Sequence, residues 1–167
     1  FIFDGSNSMN AQWQSSSKIS IAKKLMKETL DSLKGVKNVE LALRMYGHQF
    51  KIYPGQQNCD DTKLEVPFSP GDANIDRIKT RIRSLSPQGT TPIARSLERA
   101  ANDFPECDNC RNVIVLITDG IEACDEDPCA VARALREKGI ILKPFVIGIG
   151  IDPLKLLSLK CIGKYYD

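Results

Sequence analysis

Val113-Ile114-Val115-Leu116-Ile117 is an unbroken apolar run that leads directly into Thr118-Asp119-Gly120. Continuous rather than alternating β-prone residues fit a strand covered on both faces, and such strands belong to parallel sheets with helices above and below. The flanking sequence agrees. Downstream, Pro128 to Lys138 has helical spacing ended by Gly139, and Ile140 to Ile149 reads as another buried strand. Asp152-Pro153 opens a further helix, and Lys164 to Tyr166 is a last short strand. Upstream, Ile93, Leu97, Ala100, Ala101 and Phe104 mark a helix with Pro92 in its first turn. Ile75, Ile78, Ile82 and Leu85 mark another, stopped near Pro87 and Gly89. Ala22, Leu25, Met26, Thr29, Leu30 and Leu33 mark the first helix, which Gly35 ends. Phe1-Ile2-Phe3 and Val39 to Tyr46 read as strands, while Phe50 to Tyr53 and Leu64 to Phe68 are Pro-flanked candidates for an edge hairpin. Strand and helix alternate throughout. The expected fold class is therefore α/β: a doubly wound, mainly parallel central sheet flanked by helices on both faces, with one antiparallel edge strand or hairpin.

Composition narrows the function classes. The chain has 167 residues, 42% hydrophobic and 26% charged, which is ordinary for one globular domain. Lys and Arg number 23 and Asp and Glu 21, so the net charge is +2 and the basic footprint of a nucleic-acid-binding domain is missing. No apolar run approaches the ~20 residues of a membrane span. The chain starts abruptly on Phe1-Ile2-Phe3 and stops on Tyr165-Tyr166-Asp167. We expect a single domain, residues 1–167, cut from a longer protein in which a signal peptide or membrane anchor could lie upstream.

The six cysteines are Cys59, Cys107, Cys110, Cys124, Cys129 and Cys161. An even number favours a disulfide framework and an extracytoplasmic location: periplasm, secreted space or cell surface. Cys107-Asp108-Asn109-Cys110 leads into a strand, not a helix, so a loop bridge suits it better than redox chemistry. Proximity supports Cys107–Cys110; Cys59–Cys124 and Cys129–Cys161 complete a working pairing without comparable support from spacing. A tetrathiolate zinc site from Cys107, Cys110, Cys124 and Cys129 is the rival arrangement.

In an open α/β sheet, ligands bind beyond the carboxyl ends of the strands. Three polar segments fall there: Asp4-Gly5-Ser6-Asn7-Ser8-Met9 after the first strand, Gly89-Thr90-Thr91-Pro92 before a helix, and Thr118-Asp119-Gly120 after the Val113 to Ile117 run. They offer carboxylates and hydroxyls, with no imidazole or thiolate close in sequence. Hard oxygen donors suit Mg²⁺, Ca²⁺ or Mn²⁺.

Asp-x-Ser-x-Ser at Asp4, Ser6 and Ser8, a Thr before a helix, and Thr-Asp-Gly after a central strand resemble the von Willebrand factor type A (VWA) family and the three pieces of its metal-ion-dependent adhesion site. The resemblance covers essentially the whole chain. The stretches at Tyr46-Gly47-His48, Cys59-Asp60-Asp61-Thr62, Thr91-Pro92-Ile93-Ala94 and Asp119 to Cys129 look like bacterial extracytoplasmic members. The resemblance implies that Ser6, Ser8 and Thr91 bind a divalent cation, Mg²⁺ before Ca²⁺ or Mn²⁺, through hydroxyl oxygens. Thr90 is the neighbouring alternative to Thr91. Asp4 and Asp119 would sit close to the ion, one or both acting through water. It further implies a non-enzymatic binding or adhesion module whose ion engages an Asp or Glu carboxylate of a protein or glycan-bearing partner. The helix that usually follows the family's last strand has no counterpart in this sequence, so the resemblance assigns no switching mechanism to it.

Plainer readings stand beside these. Asp4 to Ser8 and Asp119-Gly120 could be polar turns, and Thr91 could be the N-cap of the following helix. His48, the single histidine, reads as structural. Trp13 could line the rim or pack against its loop. Glu122, Asp125, Glu126 and Asp127, with Asp60 and Asp61, could form a second calcium site, a solvated acidic loop being the default. The Lys18 to Lys27 and Arg77 to Arg83 charges read as solvated helix faces. A phosphatase-like hydrolase would use Asp4 as nucleophile but wants an acid where Ser6 stands. A serine hydrolase lacks its G-x-S-x-G. A disulfide or redox protein would use Cys107 and Cys110.

Overall fold

The protein is described by a computed structural model covering residues 1–120, 122–146 and 161–162. Its central sheet has strand order β5-β4-β1-β6-β7, where β1 is Ile2–Asp4, β4 Glu40–Tyr46, β5 Thr62–Pro70, β6 Val113–Thr118 and β7 Ile141–Val146. β1 lies between β4 and β6 and is parallel to both, and β6 is parallel to β7. The edge strand β5 runs antiparallel to β4. It carries Pro67 and Pro70, which an edge tolerates because a lost amide donor there breaks no inner ladder.

Among the described residues, four helices cover the two faces. Helix α1, Lys18–Ser32, is capped by the Ser17 hydroxyl and buries Ile19, Ala22, Met26 and Leu30, one stripe at i, i+3/i+4 spacing. Helix α2, Gly71–Arg83, buries Ile75, Ile78 and Ile82. Both pack on the face that presents Phe3, Leu41, Leu43, Met45 and Ile117. Helix α3, Ile93–Ala101, buries Ile93, Ala94, Leu97 and Ala100. Helix α4, Pro128–Glu137, starts on the Asp127 cap with Pro128 at its first turn and buries Ala132 and Leu135. These two cover Ile2, Tyr46, Ile114 and Leu116 on the other face. Ile2 and Phe3 thus go to opposite cores, as strand alternation requires, and the fold is the doubly wound α/β architecture expected.

The differences are local. Phe50 to Tyr53 is not a strand: the antiparallel edge pair is β4 with β5, joined by a loop from Gly47 to Asp61. Within that loop the Phe50 amide donates to Asp61 Oδ2 and the Ile52 amide to the Gln88 carbonyl, so neither is available to a ladder. A 3₁₀ turn at Asn7–Asn10 and a small antiparallel ribbon, β2 (Gln12–Trp13) with β3 (Ser16–Ser17), were not expected. The half-buried Trp13 packs against the α1/α2 core. The expected helix from Asp152-Pro153, the strand from Lys164 and residues 147–149 lie outside the described residues.

All six cysteines are paired, as Cys59–Cys124, Cys107–Cys110 and Cys129–Cys161. This is the working pairing, and it overturns the zinc alternative, because every thiolate that site needs is spent in a bridge. Among the described residues, no helix is long and apolar enough to cross a membrane.

Candidate functional site

Because β1, β4 and β6 are parallel neighbours, their carboxyl ends open at one edge of the sheet and bring Asp4, Tyr46 and Thr118-Asp119 together. Asp4 is fully buried. Its Oδ1 accepts the Ser6 amide at 2.7 Å, while Oδ2 accepts the hydroxyls of Tyr46 at 2.8 Å and Thr118 at 2.6 Å. Burial raises the Asp4 pKa, and the nearby Asp119 charge adds to the rise against the hydrogen bonds from Ser6 and Thr118. The same burial and the Asp4 charge hold the Tyr46 phenol well above its ordinary range, as a neutral donor.

From Asp4 the hydroxyls step outward. Ser6 Oγ lies 3.0 Å from Ser8 Oγ, and Ser8 Oγ donates to Asp119 Oδ1 at 2.8 Å. The other Asp119 oxygen, Oδ2, accepts from the Lys18 ammonium at 2.7 Å. Thr91 comes from the loop before α3. That loop is stitched to the first segment by a parallel bridge between Ser6 and Gly89, with the Asn7 amide donating to the Gly89 carbonyl at 2.9 Å. A Cβ placed on Gly120 would stand 3.7 Å from Thr91 Oγ1 and 3.8 Å from Ser8 Oγ, so all three segments meet over Gly120. Asp4, Ser6, Ser8, Thr91 and Asp119 therefore gather at one place. Thr90, the alternative to Thr91, is buried and turns its carbonyl toward Gly47.

Gly47 permits this convergence. Its φ is +65°, and a Cβ there would stand 2.4 Å from the Thr90 carbonyl oxygen and 2.8 Å from the Ser6 amide nitrogen.

Thr91 is not the cap of α3. Its carbonyl accepts the Ile93 and Ala123 amides. The cap is supplied by Glu122, whose Oε2 accepts the Ala94 amide at 2.7 Å and whose Oε1 accepts the Cys124 amide. Burial raises the Glu122 pKa against those bonds. The Thr91 hydroxyl is left with no hydrogen bond among the described residues.

Other candidates resolve differently. In the acidic loop the Arg95 guanidinium pairs with both Asp60 and Glu126, bridging the two sides that Cys59–Cys124 brings close. His48 is buried, with Nε2 2.9 Å from Glu65 Oε1 and Nδ1 3.9 Å from Asp61 Oδ1 without a hydrogen bond. The basic helix faces are not wholly solvated. Lys18 turns to Asp119, Lys23 donates to the Arg83 and Leu85 carbonyls, and Arg81 pairs with Glu65.

The cluster is made of oxygen donors. Its donors are three hydroxyls and two carboxylates. Among the described residues no group of three or more His, Cys, Asp or Glu could hold a metal, so an ion here depends on the hydroxyls. The Lys18 ammonium sits against Asp119.

The fold has relatives. Residues 1–162 match the von Willebrand factor type A domain. The chain is 33% identical to the uncharacterized protein YwmD of Bacillus subtilis over 154 residues, 90% of this chain and 67% of that one. Among solved structures it resembles BatB of Bacteroides thetaiotaomicron, with TM-score 0.66 and 26% identity over 87% of this chain and 63% of that one. It also shares its fold with proximal thread matrix protein 1 from the mussel byssus, solved with a zinc-occupied MIDAS motif (TM-score 0.69, 22% identity, 95% of this chain and 37% of that one). The match over nearly the full length shows that the chain belongs to the von Willebrand factor type A family.

Proposed function

We propose that this chain is a non-enzymatic, metal-dependent binding module, one VWA domain of a longer extracytoplasmic protein. Its metal-ion-dependent adhesion site would be formed by Ser6, Ser8 and Thr91 through their hydroxyls, with Asp4 and Asp119 close by and acting at least partly through water. One observation carries the reading. Three separate segments converge on an all-oxygen cluster in which Ser6, Ser8 and Asp119 are chained together and the Thr91 hydroxyl is uncommitted. Each residue has a definable task. Asp4 spends its oxygens on Ser6, Tyr46 and Thr118, which fixes the loop that presents Ser6 and Ser8. Thr91 would supply a neutral donor, and Asp119 the nearer negative charge. The divalent ion, only partly neutralised by neutral hydroxyls, supplies Lewis acidity toward an Asp or Glu carboxylate of a partner.

Mg²⁺ is the ion we favour, with Mn²⁺ and Ca²⁺ as alternatives. The zinc in the mussel protein supports a dication at this place in the fold without fixing its identity. A protein or glycan-bearing partner fits the surroundings. The loop after β4 exposes Phe50, Ile52 and Tyr53, and that loop is tied to the segment leading to Thr91 through Ile52 and Gln88. The three disulfides fit an oxidising compartment. The hydrolase reading is disfavoured because Asp4 is buried with both oxygens engaged, and His48 Nε2 is engaged by Glu65.

Calorimetric titration of the protein with Mg²⁺, Mn²⁺, Ca²⁺ and Zn²⁺ tests the reading. Uptake of one ion per chain is expected. The Ser6→Ala/Thr91→Ala double variant should weaken it by about 100-fold or more while its circular dichroism stays native. No uptake by the unaltered protein, or equal uptake by the variant, would sink it.

A further inference from the structure

Lys18 is the first residue of α1, and its side chain crosses to the end of β6. The side chain is 16% exposed and that of Asp119 0%. The two Asp119 oxygens are divided between Lys18 and Ser8, and Ser8 is in turn bonded to Ser6. The ammonium is therefore one carboxylate away from the hydroxyls assigned above to the ion. Resting on that assignment, we propose that Lys18 is a tethered counter-cation of the metal site. It holds Asp119 when no divalent ion is bound and sets the charge that a bound ion presents to a partner.

The argument is electrostatic. A buried carboxylate without a partner is costly, so a site that must exist both with and without its ion needs a substitute charge on Asp119. Lys18 provides one that cannot diffuse away. The Lys18 ammonium fixed 2.7 Å from Asp119 makes the site one charge more positive than it would be without that side chain, whether or not an ion is bound. The fixed ammonium thus lowers the affinity for the ion by repulsion and raises the affinity of the loaded site for an incoming carboxylate.

Lys18→Met keeps the length and apolar stem and removes the charge; Lys18→Arg keeps the charge. The expected result with Lys18→Met is a Kd for Mn²⁺ at least about tenfold lower than that of the unaltered protein. The ion-free protein should melt at a lower temperature, saturating Mn²⁺ should raise the midpoint by more than in the unaltered protein, and the Mn²⁺-loaded variant should bind a tetraglutamate peptide about tenfold more weakly. Lys18→Arg should behave as the unaltered protein does, and Lys18→Gln serves should the Met variant fail to fold. An unchanged Kd, with midpoints lowered equally with and without Mn²⁺, would make Lys18 a structural ion pair and overturn the proposal while leaving the metal site standing. Unchanged tetraglutamate binding would overturn its partner half. Absence of Mn²⁺ uptake by every form would overturn this proposal together with the metal site itself.

Discussion

Gly47 ends β4 in a left-handed conformation, with its α-carbon wedged between the Ser6 backbone and the Thr90 carbonyl. A methyl group there meets backbone on both sides, so it cannot be absorbed by a side-chain rotation. Gly47→Ala should cost about 2 kcal/mol or more in urea unfolding and weaken ion uptake, because the loops carrying Ser6 and Thr91 must part. Glu65 offers a pH test away from the site. Its partial burial would raise its pKa, but hydrogen bonds from Arg81, His48 and Lys63 outweigh that and hold it at about 2, against an ordinary value of 4.5. A depressed acid contributes stability above its unfolded pKa and loses it as pH falls through the folded one. Glu65→Gln should therefore lower stability at pH 7 by about 1–2 kcal/mol, the worth of its charge-assisted bonds. The gap to the unaltered protein should close between pH 4.5 and 2, read by urea titrations across that range. Asp4, Ser6, Ser8, Thr91 and Asp119 were legible in the sequence because each stands in a short motif at a strand or helix end. Tyr46 and Thr118 were not legible as partners of Asp4, since that contact follows from strand register. Lys18 sat in a periodic basic stretch whose period said helix and nothing about where one long side chain would reach.

Helix α3 shows how an element can depend on a loop far along the chain. Pro92 offers no side-chain cap, and the first-turn amide of Ala94 is taken by Glu122, 28 residues downstream. The Ala123 amide meanwhile binds the Thr91 carbonyl. The segment after β6 therefore fixes both the start of α3 and Thr91, two residues before it. Glu122→Ala should cost about 1 kcal/mol, as loss of a cap does, and should also weaken ion uptake through Thr91 although Glu122 is no proposed ligand. Calorimetry and urea unfolding on the same variant separate the two effects. The helices themselves were readable from period and from their Gly and Pro stops, and β6 from its unbroken apolar run. Phe50 to Tyr53 misled because its composition is strand-like, while the feature that overrides it is the buried Asp61 carboxylate, which takes the Gln49 and Phe50 amides. Nothing local in the sequence announces that capture.

At the scale of the molecule, three bridges divide the work of restraining the chain unequally. Cys59–Cys124 spans 65 residues and joins the loop after β4 to the loop after β6, across the edge of the sheet that carries the site. Cys129–Cys161 spans 32 residues and ties the start of α4 to the distal part of the chain. Cys107–Cys110 spans only 3, within the loop between α3 and β6. If the bridges act by restricting the unfolded chain, the cost of losing one scales with the logarithm of the loop closed: about 4 kcal/mol for each of the first two and about 2 kcal/mol for the third. Paired Cys→Ser variants, unfolded in urea, should therefore rank with the Cys107/Cys110 pair mildest. Loss of Cys59–Cys124 should also disturb ion uptake, because Cys124 follows Ala123, whose amide holds the Thr91 carbonyl. The same series weighs the redox alternative. A catalytic Cys107–Cys110 would be reduced first under mild thiol buffer with the other two bridges intact, and the oxidised and reduced forms would both remain folded. A structural bridge should instead resist glutathione at cytosolic poise, as counted by thiol alkylation and intact mass, and the protein should retain its ion-dependent thermal shift throughout that treatment.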